Sequence, residues 1–175
     1  ENVVPWAQEE GYSLTLLLHR PLQAVRMFYQ TFLWQAEYYH MTMIGAYLGN
    51  LDTVLDVPYF VVAVFTVSLL CLAMKKPGER QVMSVGNRVW AAALCGLCGL
   101  AAMASMLIAW TPLSSQVISG VQGRYFLPFL PVLLIAFKND AIVLTKNGNR
   151  SILYLMCCAN GYVALRLFSV VSMRL

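Results

Sequence analysis

The run VWAAALCGLCGLAAMASMLIAW, residues 89–110, decides the fold because it contains no charged residue. An α-helix rises ~1.5 Å per residue, so this run is long enough to cross the ~30 Å apolar core of a bilayer. Trp90 and Trp110 mark its two ends, and tryptophan is enriched where a membrane meets water. We therefore predict a membrane-spanning helix over residues 89–110.

Three further apolar runs accompany this helix along the chain. Residues 57–74 carry no charge and are followed at once by Lys75 and Lys76. Residues 117–137 form an apolar run with a polar approach, and residues 152–171 form the last run. The chain is 59% hydrophobic and 11% charged, whereas soluble domains are about 25% charged. We expect an all-α integral membrane protein with about four transmembrane helices.

The charges are distributed unevenly between the two sides of this bundle. The loop at 75–88 has four basic residues and one acidic residue, a net charge of +3, and the loop at 138–150 has a net charge of +2. Loops rich in Lys and Arg stay in the cytoplasm. Six of the eight acidic residues precede the first span. We predict a membrane bundle over 57–175 and an extracytoplasmic, helical segment over 1–56.

An amphipathic helix is predicted within that outer segment, over residues 21–49. At 100° per residue, four polar residues fall on one stripe of an otherwise apolar cylinder. They are Gln23, Arg26, Gln30 and Glu37. Such a helix either lies in the plane of the membrane interface or stands among other helices with its polar stripe toward a wet cavity. We favour a helix that lies in the interface, and a helix that spans the membrane remains the alternative.

Cysteine, histidine and charge patterns argue against several other classes of protein. All five cysteines fall inside predicted spans, where they behave as small apolar residues. Cys95 and Cys98 have the spacing of a redox motif but lie in an uninterrupted apolar helix. His19 and His40 are not paired at metal-ligand spacing. We expect no metal, no cofactor and no nucleic-acid partner.

The stretch GVQGRYFLPFLP, residues 120–131, holds the most unusual polar feature of the sequence. Pro128 and Pro131 free backbone carbonyls, which are tolerated at membrane depth only beside protein or a water-filled cavity. Arg124 would stand at the lip of that cavity, where a guanidinium can bind a phosphate bidentately. Alternatively, Arg124 extends to lipid headgroups while Tyr125 joins the aromatic belt. The residues alone leave both interpretations open.

Two polar residues interrupt the last apolar run. Arg166 lies near enough to the outer interface to extend its side chain into it. Asn160 is expected to form a hydrogen bond to a neighbouring helix, because unpaired polar groups are costly in a bilayer.

Two motifs resemble a known family. WTPLSSQVISGVQGRYFLPFLP, residues 110–131, resembles the signature of the bacterial membrane proteins catalogued as domain of unknown function 2142. HRPLQAVRMFYQTF, residues 19–32, and MIGAYLGNLDTVLDVP, residues 43–58, resemble the extracytoplasmic stretch of the same family. The motifs occur in the order that the family shows, and with the spans they cover nearly the whole chain.

The resemblance implies the membrane-embedded part of a glycosyltransferase-like protein, because the family is similar in layout to the C-type membrane glycosyltransferases. Those enzymes take a sugar from a polyprenyl-phosphate carrier on the outer face of the membrane. We accordingly expect a multi-pass protein of the bacterial plasma (inner) membrane that acts on cell-envelope polysaccharide. Its expected partners are membrane lipids, a polyprenyl-phosphate sugar and the remaining helices of a longer parent protein. The residues expected to contact the lipid phosphate are Gln122, Arg124, Tyr125 and Asp52.

The sequence does not identify a catalytic carboxylate in this chain. In C-type enzymes the catalytic carboxylate usually belongs to the first outer loop, and this chain resembles a C-terminal half. We therefore expect the base outside this chain. Asp52 also has a simpler interpretation, as a carboxylate that caps the N-terminus of the next helix. The alternative function is a non-catalytic membrane protein, either a transporter or flippase subunit or a partner of a glycan polymerase.

Overall fold

Helices make up most of the described chain. The computed structural model describes residues 3–45, 56–80, 83–138, 143 and 148–173. In chain order the elements are β1 (Val3–Val4), β2 (Glu9–Glu10), α1 (Leu14–His19), α2 (Pro21–Ile44), α3 (Tyr59–Ala73), α4 (Val85–Trp110), a 3₁₀ segment (Gly123–Phe129), α5 (Leu130–Phe137) and α6 (Gly148–Ser172).

Three of the four predicted spans correspond to regular helices. α3 matches the prediction over 57–74, and α6 covers the prediction over 152–171. α4 begins before residue 89 because the Ser84 hydroxyl accepts a hydrogen bond from the Asn87 amide at 3.3 Å and so caps the helix at Val85. Two helices are long and apolar enough to cross a membrane, Val85–Trp110 and Asn149–Ser172.

The predicted span over residues 117–137 is helical only in its later part. Helical structure begins only at Gly123, as a 3₁₀ helix that passes into α5. Pro128 and Pro131 lack the amide donors that a continuous α-helix needs, and Pro131 is tolerated because it lies in the first turn of α5. A 3₁₀ helix rises ~2.0 Å per residue, so the two pieces together reach ~26 Å.

The all-α prediction also missed a small hairpin at the start of the chain. β1 and β2 pair antiparallel, with Val3 opposite Glu10 and Val4 opposite Glu9. Each strand has two residues, too few for an alternating pattern to be visible in the sequence.

The helices pack as antiparallel pairs. α4 and α5 run antiparallel, because Arg88 Nε donates to the Ala136 carbonyl near one end and the Phe126 ring lies against Gly99 further along. α3 and α6 also run antiparallel, and the Phe60 and Tyr162 rings lie 5.9 Å apart between them. α2 packs against both the 3₁₀ segment and α3.

Basic residues gather at one end of the bundle. Lys138, which follows α5, forms a 2.7 Å ion pair with Glu79, which lies in the loop after α3. Lys75 in that loop pairs through its backbone with Val143. The two loops predicted to share one side of the membrane therefore lie together. The hairpin and the loop at 111–122 lie at the opposite end of α4.

Two buried clusters hold the structure together. The first joins α2, α4 and the loop at 111–122, and the second joins α2, α3 and α6. Their buried members are Tyr12, Met27, Tyr39, Met103, Leu107, Ile118 and Val121 in the first, and Met41, Val57, Val61 and Val62 in the second.

Large apolar side chains remain exposed on the outside of α4 and α6. Examples are Val89, Leu97, Leu165 and Phe168, each more than 60% exposed. Contiguous apolar surface of this kind marks contact with lipid or with other protein. It agrees with a helical membrane protein.

Candidate functional site

The loop at 111–122 connects α4 to the 3₁₀ segment and lies along α2. Near its middle, the backbone amide of Ile118 donates to the hydroxyl of Thr31 at 2.9 Å. The same hydroxyl donates to the Met27 carbonyl at 2.7 Å, and Thr31 is fully buried. One side chain thus satisfies polar groups of both the loop and the helix, which holds the loop in place.

A second threonine fixes the end of the loop. The amide of Gly123 donates to Thr42 Oγ1 at 2.7 Å, and Thr42 Oγ1 donates to the Tyr38 carbonyl at 2.7 Å. A Cβ on Gly123 would come 1.8 Å from the carbonyl oxygen of Tyr39. Only glycine allows this close approach to the backbone of α2.

The start of the motif is fixed by a turn. Gly120 has φ of +77°, and a Cβ there would lie 2.4 Å from Trp110 Cδ1. Next to it, the Ser119 amide donates to Thr111 Oγ1 at 3.0 Å. Both glycines in GVQGRY are therefore required by geometry.

This anchored loop leaves Arg124 and Tyr125 at the surface. Arg124 is exposed and makes no hydrogen bond or ion pair with the described part of the chain. Tyr125 is 40% exposed. Gln122 is half-buried, and its Oε1 atom is buried with no hydrogen-bond partner among the described residues. These three residues lie together, whereas Asp52 falls outside the described residues and its role stays a prediction.

The N-terminal hairpin covers the other end of the loop. The Leu113 amide donates to the Glu10 carbonyl at 2.9 Å, and Ser114 Oγ donates to Glu9 Oε2 at 2.6 Å. Trp6 Nε1 donates to the Trp110 carbonyl at 3.1 Å. These contacts join parts of the chain about a hundred residues apart, so no local pattern predicts them.

A polar cleft lies between the first half of α2 and the loop. Its volume is about 490 Å³. The residues that line it are Tyr12, Leu22, Gln23, Arg26, Met27, Gln30, Leu113, Ser114, Ser115 and Gln116. Three of the four residues of the predicted polar stripe therefore face this cleft, and the fourth, Glu37, is exposed elsewhere.

Tyr12 forms the floor of the polar cleft. It is 1% exposed; its hydroxyl accepts a hydrogen bond from Gln23 Nε2 at 3.4 Å and donates to Met27 Sδ at 3.7 Å. Arg26 is exposed and forms no ion pair with any described residue. The cleft therefore offers a guanidinium that no carboxylate in the described part of the chain neutralises.

The polar cleft and the Arg124 motif are separate places. Arg124 follows Gly123, which touches α2 at Thr42, whereas Arg26 lies sixteen residues earlier on the same helix. That interval corresponds to ~24 Å along the helix axis. Neither Arg124 nor its neighbours line the cleft.

The polar residues of the last helix have structural partners. Arg166 was expected to extend into the interface, but its Nε donates to the Asp56 carbonyl at 2.7 Å and its Nη2 binds Asp56 Oδ1 at 3.0 Å. Asn160 was expected to bind a neighbouring helix, but it donates to the Met156 carbonyl of its own helix at 2.9 Å. The side-chain amide of Asn160 reaches the carbonyl four residues earlier in its own helix more easily than it reaches an acceptor on a neighbouring helix.

His40 also joins two helices. Its Nδ1 lies 3.0 Å from the Tyr59 hydroxyl, and its Nε2 lies 2.7 Å from Thr66 Oγ1. Both ring nitrogens of His40 are engaged in holding α2 against α3. Within the described ranges, no group of three or more His, Cys, Asp or Glu side chains has the arrangement of a metal site.

The family comparison agrees with the motifs that surround this loop. A family described as "Predicted membrane protein (DUF2142)" matches residues 6–133. The chain belongs to this family. The DUF2142 match includes α2, the anchored loop and the polar cleft, and it confirms the resemblance drawn from residues 110–131 and 19–58. The chain is accordingly a mostly helical membrane protein. No curated protein and no solved structure matches it.

Proposed function

We propose that this DUF2142 chain is the membrane-embedded part of a glycosyltransferase-like protein that uses a polyprenyl-phosphate-linked sugar at the outer leaflet. The product would be a cell-envelope polysaccharide. The observation that carries this proposal is the exposed, unpaired Arg124 on a loop that α2 holds through Thr31 and Thr42. The loop fixes the backbone that carries Arg124, and the guanidinium, which has no partner in the described part of the chain, is free to bind a phosphate bidentately.

The proposed topology has four spans in the bacterial inner membrane. They are α3, α4, the 3₁₀ segment with α5, and α6. The end that holds the Lys138–Glu79 pair is cytoplasmic by its excess of basic residues, and residues 1–56 are extracytoplasmic. α3 spans ~22 Å and the 3₁₀ segment with α5 ~26 Å, so flanking residues or local thinning of the bilayer complete each crossing.

The donor would bind through three neighbouring side chains, those of Gln122, Arg124 and Tyr125. Arg124 contacts two phosphate oxygens, and the Tyr125 hydroxyl adds a hydrogen-bond donor at the interface. Gln122 is half-buried with its Oε1 atom turned inward, and its amide nitrogen would donate a hydrogen bond to a sugar hydroxyl. The apolar 3₁₀ segment and α5 continue from there into the membrane, where the polyprenyl chain belongs.

The catalytic base is placed in the longer parent protein. Three carboxylates of this chain are already engaged, since Glu9 binds Ser114, Asp56 binds Arg166 and Glu79 binds Lys138. The role proposed for this chain is donor binding.

Binding of a short-chain polyprenyl phosphate to the full-length parent protein in nanodiscs tests the proposal. Native mass spectrometry should detect the wild-type complex, and Arg124→Ala should reduce its occupancy at least fivefold. Arg80→Ala, which removes an exposed arginine from the other end of the bundle, is the matched control. Equal occupancy in all three proteins would refute the proposed donor site.

A second candidate is a non-catalytic partner of a transport or polymerisation complex. The observation that favours it is the exposed apolar surface of α4 and α6, including Gly96, where an added Cβ would meet nothing within 4 Å. Small residues at such a surface let another helix approach closely. Reading the first outer loop of the parent protein discriminates between the two: a glycosyltransferase has an acidic residue there, and a non-catalytic partner lacks one.

A further inference from the structure

We propose that the polar cleft binds a saccharide unit that carries one negative charge, either a carboxylate or a phosphodiester. Arg26 would bind the anionic group, and the amides of Gln30 and Gln116 would bind hydroxyls. The choice of a saccharide rests on the proposed function. The cleft itself and its unpaired guanidinium stand on geometry alone.

The cleft has the dimensions and rigidity of a small-molecule site. Its volume of about 490 Å³ lies within the ~300–1,000 Å³ usual for ligand pockets. Its floor is buried, since Tyr12 is 1% and Met27 is 4% exposed. Its wall is fixed on both sides, by the Ile118–Thr31 bond to α2 and by the Leu113–Glu10 bond to the hairpin. Such a site is formed before a ligand arrives.

The charge of the cleft selects a single anion. Among the described residues that line it, Arg26 is the charged one. Glu9 approaches the rim, where it accepts the hydrogen bond of Ser114. A ligand with several negative charges would meet that carboxylate, whereas a ligand with one charge can place it against Arg26 and direct hydroxyls toward the loop.

The remaining polar groups suit hydroxyl recognition. Gln30 and Gln116 form no side-chain hydrogen bond with the described part of the chain. A glutamine amide donates two hydrogen bonds and accepts two, so it can bind adjacent hydroxyls of a sugar ring. Ser115, by contrast, donates to the Val117 carbonyl at 2.6 Å and orders the loop.

The polar cleft lies too far from Arg124 to bind the same ligand, so its ligand would differ from the lipid phosphate. Arg26 lies ~24 Å along α2 from the level of Thr42, where the Arg124 motif begins. One sugar unit does not reach both guanidinium groups. A donor at Arg124 and a charged glycan in the polar cleft would therefore be separate ligands of one protein.

Calorimetric titration of the full-length parent protein in nanodiscs tests this inference. The probes are a glucose trisaccharide with one glucuronate, the neutral glucose trisaccharide and glucose 1-(methyl phosphate), which separate a carboxylate from a phosphodiester as the recognised group. At least one charged probe should bind about tenfold more tightly than the neutral one. Arg26→Gln should remove that difference, and Arg20→Gln, which removes an exposed arginine outside the cleft, should preserve it.

Three results would overturn the inference. The wild type could bind charged and neutral probes with equal affinity, or it could bind none of the probes. The third result is unchanged binding of the charged probes in Arg26→Gln. Gln30→Leu gives an independent readout, because it should weaken charged and neutral probes alike, by about fivefold, while the Arg26 preference for charge remains.

Failure of this inference can be distinguished from failure of the proposed donor site at Arg124. Arg124→Ala should leave saccharide binding at the cleft unchanged. If the wild type fails to bind polyprenyl phosphate but shows Arg26-dependent saccharide binding, the donor site fails and the cleft stands. If it binds polyprenyl phosphate and none of the saccharide probes, the cleft inference fails alone.

Discussion

The backbone amide of Gly123 donates a hydrogen bond to the hydroxyl of Thr42 at 2.7 Å. This contact fixes the residue just before Arg124 to the backbone of α2. It requires a hydroxyl on the helix and a residue without a side chain on the loop. The position of the exposed guanidinium therefore depends on a helix that lies about eighty residues earlier in the chain.

Replacing Gly123 by alanine should destabilise the protein. The new Cβ would lie 1.8 Å from the Tyr39 carbonyl oxygen and 2.6 Å from the Met43 amide nitrogen, both backbone atoms of α2. Because a helix backbone cannot yield easily, we expect a loss of ~2 kcal/mol or more in the free energy of unfolding. Thermal unfolding in detergent, followed by circular dichroism, measures it.

Gly96→Ala is the matched control for this substitution. A Cβ at Gly96 meets nothing within 4 Å, and alanine is a better helix former than glycine by up to ~1 kcal/mol. The control should be neutral or slightly stabilising. Equal unfolding temperatures for the two variants would contradict the close packing of Gly123.

The Asp56–Arg166 pair should couple the ends of α3 and α6. Their side chains are 41% and 37% exposed, so solvent screens the pair and we expect a coupling free energy of only ~0.5–1 kcal/mol. A double-mutant cycle with Asp56→Asn, Arg166→Gln and the double variant gives this value. Strict additivity of the two single effects would show that the pair is incidental.

The charge of Glu79 should resist acid. The hydrogen bond from Lys138, with a second from the Lys76 amide, lowers the pKa of Glu79 from its ordinary value of 4.5. A lowered carboxylate pKa means that the ion pair persists above pH 4.5 and is lost only as the pH falls through the lower value. Carbon-detected NMR of labelled Glu79 should show this inflection. In Lys138→Met the inflection should move upward, and identical titration curves would contradict the pair.

The proposed sidedness predicts which residues a reagent can reach from outside. In a variant without the five native cysteines, Ser114→Cys and Arg80→Cys place single thiols at exposed positions at opposite ends of the bundle. A membrane-impermeant maleimide should label the first in intact spheroplasts and the second only after permeabilisation. The opposite pattern would invert the topology.

The long apolar helices were largely predictable from local sequence. An uncharged run such as residues 89–110 has few alternatives to a helix, since a bilayer leaves no other way to satisfy its backbone. The prolines at 128 and 131 predicted a break, and the structure has a 3₁₀ segment there. The sequence did not indicate where helix begins, because hydrogen bonds to Thr31 and Thr111 hold residues 117–122 in an irregular loop, and the bond to Thr42 fixes Gly123 after it.

The site was predictable only in pieces. Periodicity placed Gln23, Arg26 and Gln30 on one stripe, but the surface opposite them is a loop more than eighty residues away, so the cleft was not visible. The partner of Arg166 was missed for the same reason, since Asp56 is 110 residues earlier. Motif resemblance located Gln122, Arg124 and Tyr125 together, and their role as a phosphate site stays a proposal.

The envelope glycan of cells that carry the gene for this DUF2142 protein tests the central claim most directly. Four strains are compared: wild type, a deletion, Arg124→Lys and Arg124→Ala, with protein level and membrane insertion verified in each. We predict that both point variants lack the same glycan that the deletion lacks, because a lysine ammonium does not replace a bidentate guanidinium. A wild-type glycan in both point variants, with a changed glycan in the deletion, would contradict the claim that Arg124 binds the donor.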